Sequence, residues 1–367
     1  MYKINKDRLI KTFTELAEIP SPSWKEEKIL KYLSKRFKKL GGEIIISPCG
    51  VSSNLLVKFP GRNEGKSISF SAHMDTVQPC EKITPVVGKA KIKSDGTSVL
   101  GADDKSALAM FIEAMEHIKS HKMNHGPLEF LITCAEEVGL EGIKGFDTSL
   151  LDSKFAFVFD SGGDIGKIVH KAPYHSNMKI SIKGRASHAG IAPEKGINAI
   201  RVLSYIITKI PSGRIDEETT SNVGIISGGR ALNIVAEEAE CRLEVRSIDK
   251  KKMLNVEKQI KETVKEVCLK EGVKSKIERK LEYNGFSIPE NSSISQMAVK
   301  AMEKIGIKPE FIAMGGGSDT NILNRGAMKA VNLSCGMENI HSTGEYIKIK
   351  ELIKGTELVL ALIENAQ

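Results

Sequence analysis

The sequence predicts an α/β protein: an open mixed sheet with flanking helices, into which a ferredoxin-like domain of β-α-β-β-α-β order is inserted. Three observations carry that reading. In the first half, short apolar runs alternate with stretches whose apolar residues recur at helical spacing. Three of those runs lead into a histidine or a carboxylate. Near Asn177 the order of elements changes, and it reverts near residue 285. A chain of 367 residues has room for roughly two domains at about 150 residues each. We expect one over 1–176 and 285–367, and the other, inserted into it, over 177–284.

Two amphipathic helices open the chain. The second is expected to start at the capping box Ser23-x-x-Glu26 and stop at Gly41-Gly42, with Leu30, Leu33, Phe37 and Leu40 on one face. Strands follow over 44–47, 55–59 and 68–72, the last running into His73-Met74-Asp75. A helix over 103–117 carries Leu108, Phe111, Ile112 and Met115 at helical spacing. A strand over 128–134 precedes Glu136-Glu137, and one over 155–159 ends at Asp160. Ligands of open α/β sheets gather at the carboxyl ends of the strands, so His73, Glu136, Glu137 and Asp160 are expected to converge. The inserted domain reads as strand 178–183, helix 197–210, strands 223–227 and 239–247, helix 253–271 and strand 274–281. A helix over 293–304, a glycine-rich loop, a strand over 330–333 and a helix from Lys350 complete the chain.

A make-up of 41% hydrophobic and 27% charged residues excludes a disordered or fibrous chain. The first residues lack the apolar core of a secretion signal, and nowhere do about 18 uncharged apolar residues run together, so a cytoplasmic protein with no membrane partner is expected. The six cysteines form no C-x-x-C pair, and most sit in apolar runs, as reduced, buried thiols do. The net charge of +8 is spread over helix faces without interleaved aromatics, which argues against nucleic acid.

His73 ends a strand, and Asp75 two residues on can bond its other ring nitrogen, fixing the tautomer. Asp103, in Gly101-Ala102-Asp103-Asp104-Lys105, stands at a helix start, either as an N-cap or as a carboxylate bridging two cations. Adjacent Glu136 and Glu137 repel each other unless a cation or proton offsets the charge. Asp160 precedes Ser-Gly-Gly, whose glycines let backbone come close, and His341 follows the last strand. Singly, each also reads as a turn or loop residue. Jointly they make a mixed N/O set suited to zinc, manganese or cobalt.

In this order the motifs His-Met-Asp-Thr at 73–76, Gly-Ala-Asp-Asp-Lys at 101–105, Glu-Glu at 136–137, Ala-Ser-His-Ala-Gly at 186–190 and Asn-Ile-His at 339–341 resemble the metallopeptidase M20 family, especially its peptidase T-like (tripeptidase) branch. The resemblance spans nearly the whole chain. It implies a di-zinc aminopeptidase acting on short peptides, with one metal on His73 and Asp160, the other on Glu137 and His341, and Asp103 bridging. It also implies a cis peptide between Asp103 and Asp104, Asp75 orienting His73, and Glu136 as general base. The inserted domain would be a dimerisation or lid domain, and its His188 would reach the active site of the partner subunit in a homodimer. Arg246 would hold the substrate's terminal carboxylate, and Asn233 would contact substrate. One departure stands out: an arginine that known tripeptidases carry before the glycine loop is replaced here by Met314-Gly315, which removes a guanidinium grip on the peptide. An N-acyl or N-carbamoyl amino acid amidohydrolase, or a dipeptidase, shares the same ligands. A non-enzymatic module with a structural metal would favour a closed, cysteine-rich site, which this set is not.

Overall fold

A computed structural model gives the structure of residues 2–366. The chain forms two compact units. One takes the chain up to His170, Ser287–Ala313 and everything from Ser318 on; the other is Lys171–Phe286 with Met314–Gly317.

The first unit opens with α1 (Lys6–Ala17) and α2 (Glu27–Leu40), which precede the antiparallel hairpin β1 (Glu43–Cys49) and β2 (Ser52–Phe59). Then come β3 (Ile68–His73), α3 (Ala102–His121), β4 (Leu128–Thr133), β5 (Phe155–Ser161) and β6 (Lys167–Ala172). Sheet order is β1-β2-β4-β3-β5, continued by Lys329–Ser334, then β6. The strands β4, β3, β5 and Lys329–Ser334 are mutually parallel, so their carboxyl ends lie along one edge. Every residue of β3 and β4 is buried, as parallel strands covered on both faces must be. Helix α3 is buried over most of its length, its polar residues Asp103, Asp104, Lys105 and Glu113 included. Its Phe111 ring packs 5.4 to 5.7 Å from the Phe70, Phe130 and Phe159 rings, which ties helix to sheet.

Glycine at 41 is where α2 stops, in the left-handed conformation (φ 104°) that a side chain would resist. The expected capping box does not form. Helix α2 begins at Glu27 without a side-chain cap, because Ser23 Oγ donates to Asp75 at 2.7 Å instead.

The second unit contains β7 (Tyr174–Lys183), α4 (Ala199–Ile207), β8 (Thr219–Gly228), β9 (Glu238–Ser247), α5 (Lys250–Glu271) and β10 (Lys274–Tyr283). The sheet runs β8-β9-β7-β10, all antiparallel, with a two-residue strand Gly213–Arg214 beside β8. Alternate residues Met178, Ile180, Ile182, Cys241, Leu243 and Val245 face the two helices. The expected boundary at 177 falls inside β7, because Tyr174, His175 and Ser176 continue its ladder opposite Ser247, Arg246 and Val245. Met314–Gly317 joins this unit: the Met314 N–H donates to Lys171, and Gly317 lies so close to the Tyr283 ring that a Cβ there would run into it.

Candidate metal centre

At the carboxyl edge of the parallel strands, His73 is the last residue of β3 and is 2% exposed. Its Nδ1 lies 3.0 Å from the Asp75 carbonyl oxygen and 3.4 Å from the Asp75 carboxylate. Nδ1 therefore faces acceptors, chiefly main chain, and Nε2 is directed at Asp103 Oδ1, 3.0 Å away. Asp160, within β5, places Oδ1 3.9 Å from the same Nε2.

Asp103 follows the left-handed Gly101, and the Asp103–Asp104 peptide is cis. Its second oxygen, Oδ2, is 3.2 Å from His341 Nε2, which also lies 3.0 Å from Glu137 Oε2. His341 itself is half exposed, in a turn with φ 61°. One carboxylate thus faces two imidazoles, one per oxygen. The donor atoms of His73, Asp103 and Glu137 fall within 4.8 Å of one another, as do those of His73, Asp104 and Asp160.

Crowded acids explain the electrostatics. Burial, then Asp160, pushes the Glu136 carboxyl well above the usual range. Burial does the same to Asp160, with Asp103, Asp104 and Asp319 adding repulsion. Burial also raises Glu137. Burial opposes charge on His73, but hydrogen bonds with Asp103 and Asp75 prevail and push its pKa well up. Hydrogen bonds to Asp103 and Glu137 push His341 up to about 10. Such a set, rich in carboxylate and imidazole and short of side-chain cations, fits divalent metal ions that would neutralise it.

Asp75, fully buried, does more than face His73. It accepts the N–H groups of Glu136 at 3.0 Å and Glu137 at 3.2 Å. Burial works against its charge, yet hydrogen bonding to His73 leads the effects that hold it below the usual range.

Three further acids belong to the site and escaped selection from sequence. Glu345 accepts the N–H groups of Leu100, Gly101 and Asp103 at 2.7, 2.7 and 2.9 Å, and burial pushes its pKa up to about 7. Asp104 accepts the His73 N–H at 3.3 Å. Asp319 accepts from Thr133 Oγ1 at 2.6 Å, and burial pushes it up to about 6. Asp104 stands inside a quoted motif, Glu345 four residues past His341 and Asp319 at the end of the glycine-rich loop, but only burial sets them apart from ordinary loop acids.

The second unit holds the remaining candidates. His188 and Asn233 are exposed loop residues brought side by side: the Ala189 N–H donates to the Asn233 carbonyl at 2.9 Å, and His188 pairs with Ile234. Arg246, on β9, gives Nε and Nη2 to the Glu244 carboxylate at 3.1 and 3.0 Å, and its Nη1 is 3.4 Å from the Tyr283 hydroxyl.

Residues 174–272 match the peptidase dimerisation domain, and residues 54–188 match peptidase family M28. Peptidase T of Fusobacterium nucleatum is 30% identical, over 87% of this chain and 77% of its own. The crystal structure of aminopeptidase PepT from Bacillus cereus superposes with a TM-score of 0.90 at 38% identity, covering 99% of both chains. That of a Staphylococcus aureus tripeptidase does so with 0.93 at 34%, covering 98% of both.

Proposed function

Because the chain belongs to the M20 metallopeptidase family, in its peptidase T-like branch, we propose that it is a two-metal aminopeptidase that removes the N-terminal residue from short peptides, tripeptides first. The observation that carries the reading is Asp103, whose two oxygens face His73 and His341 at 3.0 and 3.2 Å. That is the disposition of a bridging carboxylate. His73 and Asp160 would hold one metal, Glu137 and His341 the other. The N/O donors suit zinc, with manganese or cobalt as alternatives.

Bound metal would supply Lewis-acid polarisation of the scissile carbonyl and acidify a water molecule. Glu136 takes the proton of the attacking water on its carboxylate and delivers it to the leaving amine. Its backbone is held by Asp75, so the carboxylate has a fixed origin. Arg246, pre-set by Glu244, holds the C-terminal carboxylate of a peptide, and Asn233, side by side with His188, contacts substrate.

A homodimer completes the reading, with His188 serving the active site of the partner subunit. Its support is the outer edge of β8. Beyond the short pairing with Gly213–Arg214 that edge carries Ile225 and Ile226, each more than half exposed, and the neighbouring Leu232 is fully exposed. We also place the protein in the cytoplasm. Five of its six cysteines are buried thiols, and no helix among the described residues is long and apolar enough to cross a membrane.

The test is a side-by-side kcat/KM survey of zinc-loaded protein on tripeptides, dipeptides and N-acyl amino acids. Tripeptides should lead, and Glu136→Gln should lower kcat by on the order of 10² to 10⁴. A protein that leaves every peptide intact, or a variant indistinguishable from wild type, overturns the reading.

A further inference from the structure

The connection between α1 and α2 touches three motifs of the centre. Lys105 Nζ donates to the Ile19 carbonyl at 2.7 Å. The Thr76 N–H donates to the Ser21 carbonyl at 2.9 Å, and Pro22 pairs with Thr76 as a parallel bridge. Ser23 Oγ donates to Asp75 Oδ2 at 2.7 Å. The Ala135 N–H donates to Glu26 Oε1 at 2.9 Å. One short segment is thereby stitched to the strand end carrying His73, to the loop carrying Asp103 and to the loop carrying Glu136.

Glu26 is the centre of this arrangement. It is 0% exposed, and its Oε1 accepts a second bond, from the Trp24 N–H at 2.9 Å. Burying a carboxylate is costly, and α2 gains no side-chain cap from it. What it holds is Ala135, a non-glycine residue at φ 48°, in the sparsely populated left-handed region. The next two N–H groups, of Glu136 and Glu137, end on Asp75. Three successive amides are therefore fixed by two buried carboxylates, and Ser23 ties the segment carrying one of them to the other.

We propose that the Ile19–Glu26 connection is a positioning brace for the peptidase site, in which Glu26 holds Ala135 and so aims the carboxylates of Glu136 and Glu137. The proposal rests on the roles given to those two residues above.

Two readouts test it: steady-state kinetics of the metal-loaded enzyme, and hydrogen exchange of the metal-free protein. Glu26→Ala removes the acceptor. It should lower kcat by on the order of 10²-fold, the effect of a misplaced catalytic group, with KM within about threefold. Exchange should accelerate at residues 134–138 and stay unchanged in β9. Glu26→Gln keeps a carbonyl acceptor and should recover most of kcat. Ser23→Ala, which removes a single bond to Asp75, should give a smaller loss. Wild-type kcat in Glu26→Ala overturns the brace. So does exchange that accelerates throughout the unit, the mark of a merely structural role. If wild-type protein cleaves no peptide, the peptidase reading fails by itself, and local against uniform exchange still decides the brace.

Discussion

Asp75 Oδ1 accepts the Glu136 N–H at 3.0 Å and stands 3.4 Å from His73 Nδ1. One buried carboxylate thus couples the orientation of an imidazole to the backbone of the proposed base. Replacing it by an amide tests that coupling.

In Asp75→Asn, one side-chain atom must become an N–H donor directed at donors: Ser23 Oγ and the Glu137 N–H now give their protons to Oδ2. We expect activity and metal affinity each to fall by about 10- to 100-fold, as for other groups that orient a metal ligand. Metal titration with kcat/KM on a tripeptide checks this. Lost activity with unchanged affinity would confine Asp75 to positioning Glu136.

Arg246 spends two donors on Glu244 and points a third at Tyr283. Its fork is oriented before any substrate arrives. Arg246→Ala should raise KM for free-acid peptides by on the order of 10²-fold while changing KM for the C-terminal amides little. Arg246→Lys should recover only a minor part, since an ammonium lacks the fork. Equal losses on acid and amide would remove Arg246 from carboxylate binding.

Metal removal should make stability depend on pH with a definite sign. Burial raises Glu136, Glu137 and Asp160, and pushes Asp319 to about 6 and Glu345 to about 7. Each binds more protons folded than unfolded between its ordinary value and its raised one, so stability falls as pH rises through that window. His341, raised to about 10 by Asp103 and Glu137, adds the same sign: its contribution is complete below 6.5 and lost as pH rises toward its folded value. Asp75 and Asp103, held low, act in the opposite sense, near and below 3.8. The urea midpoint of chelated protein should therefore fall between about pH 5 and about pH 9, and that of metal-loaded protein should fall less. A chelated midpoint that climbs with pH contradicts the assignment.

Gly142 has no room for a side chain. A Cβ there would run into the Cys134 carbonyl oxygen and sit 2.8 Å from Asn54 Oδ1, which accepts the Cys134 N–H. Gly142→Ala should cost about 1–3 kcal/mol of stability. Because Cys134 leads into Ala135 and Glu136, kcat should fall as well. Urea denaturation and peptide kinetics on the same preparation measure both. An undiminished kcat would mean that the 134–137 loop absorbs the strain elsewhere.

Much of the site was legible because its residues fall at predictable places. Apolar runs locate the strands, parallel strands align their carboxyl ends, and His73, Glu137 and Asp160 arrive together for that reason. The β-α-β-β-α-β order of the inserted domain was legible as well, and its strands form the sheet β8-β9-β7-β10. Element ends were less legible. The 103–117 helix extends to His121, and Asp103 and Asp104, expected inside it, have non-helical backbone. Local spacing does not record that Glu345 takes the N–H groups around Asp103 from more than two hundred residues away.

Ser23 and Glu26 show the division most clearly. Four residues of sequence give a capping box, because hydroxyl and carboxylate at that spacing can satisfy the amides of a helix start. Only the folded chain brings Asp75 and Ala135 within reach, and those partners take the hydroxyl and the carboxylate instead. The sequence determined the kinds of donor and the strand ends that present them, since both follow from residue type and periodicity. Tertiary structure decided which buried carboxylate meets which amide, because a hydrogen bond spanning 109 residues depends on the path of everything between.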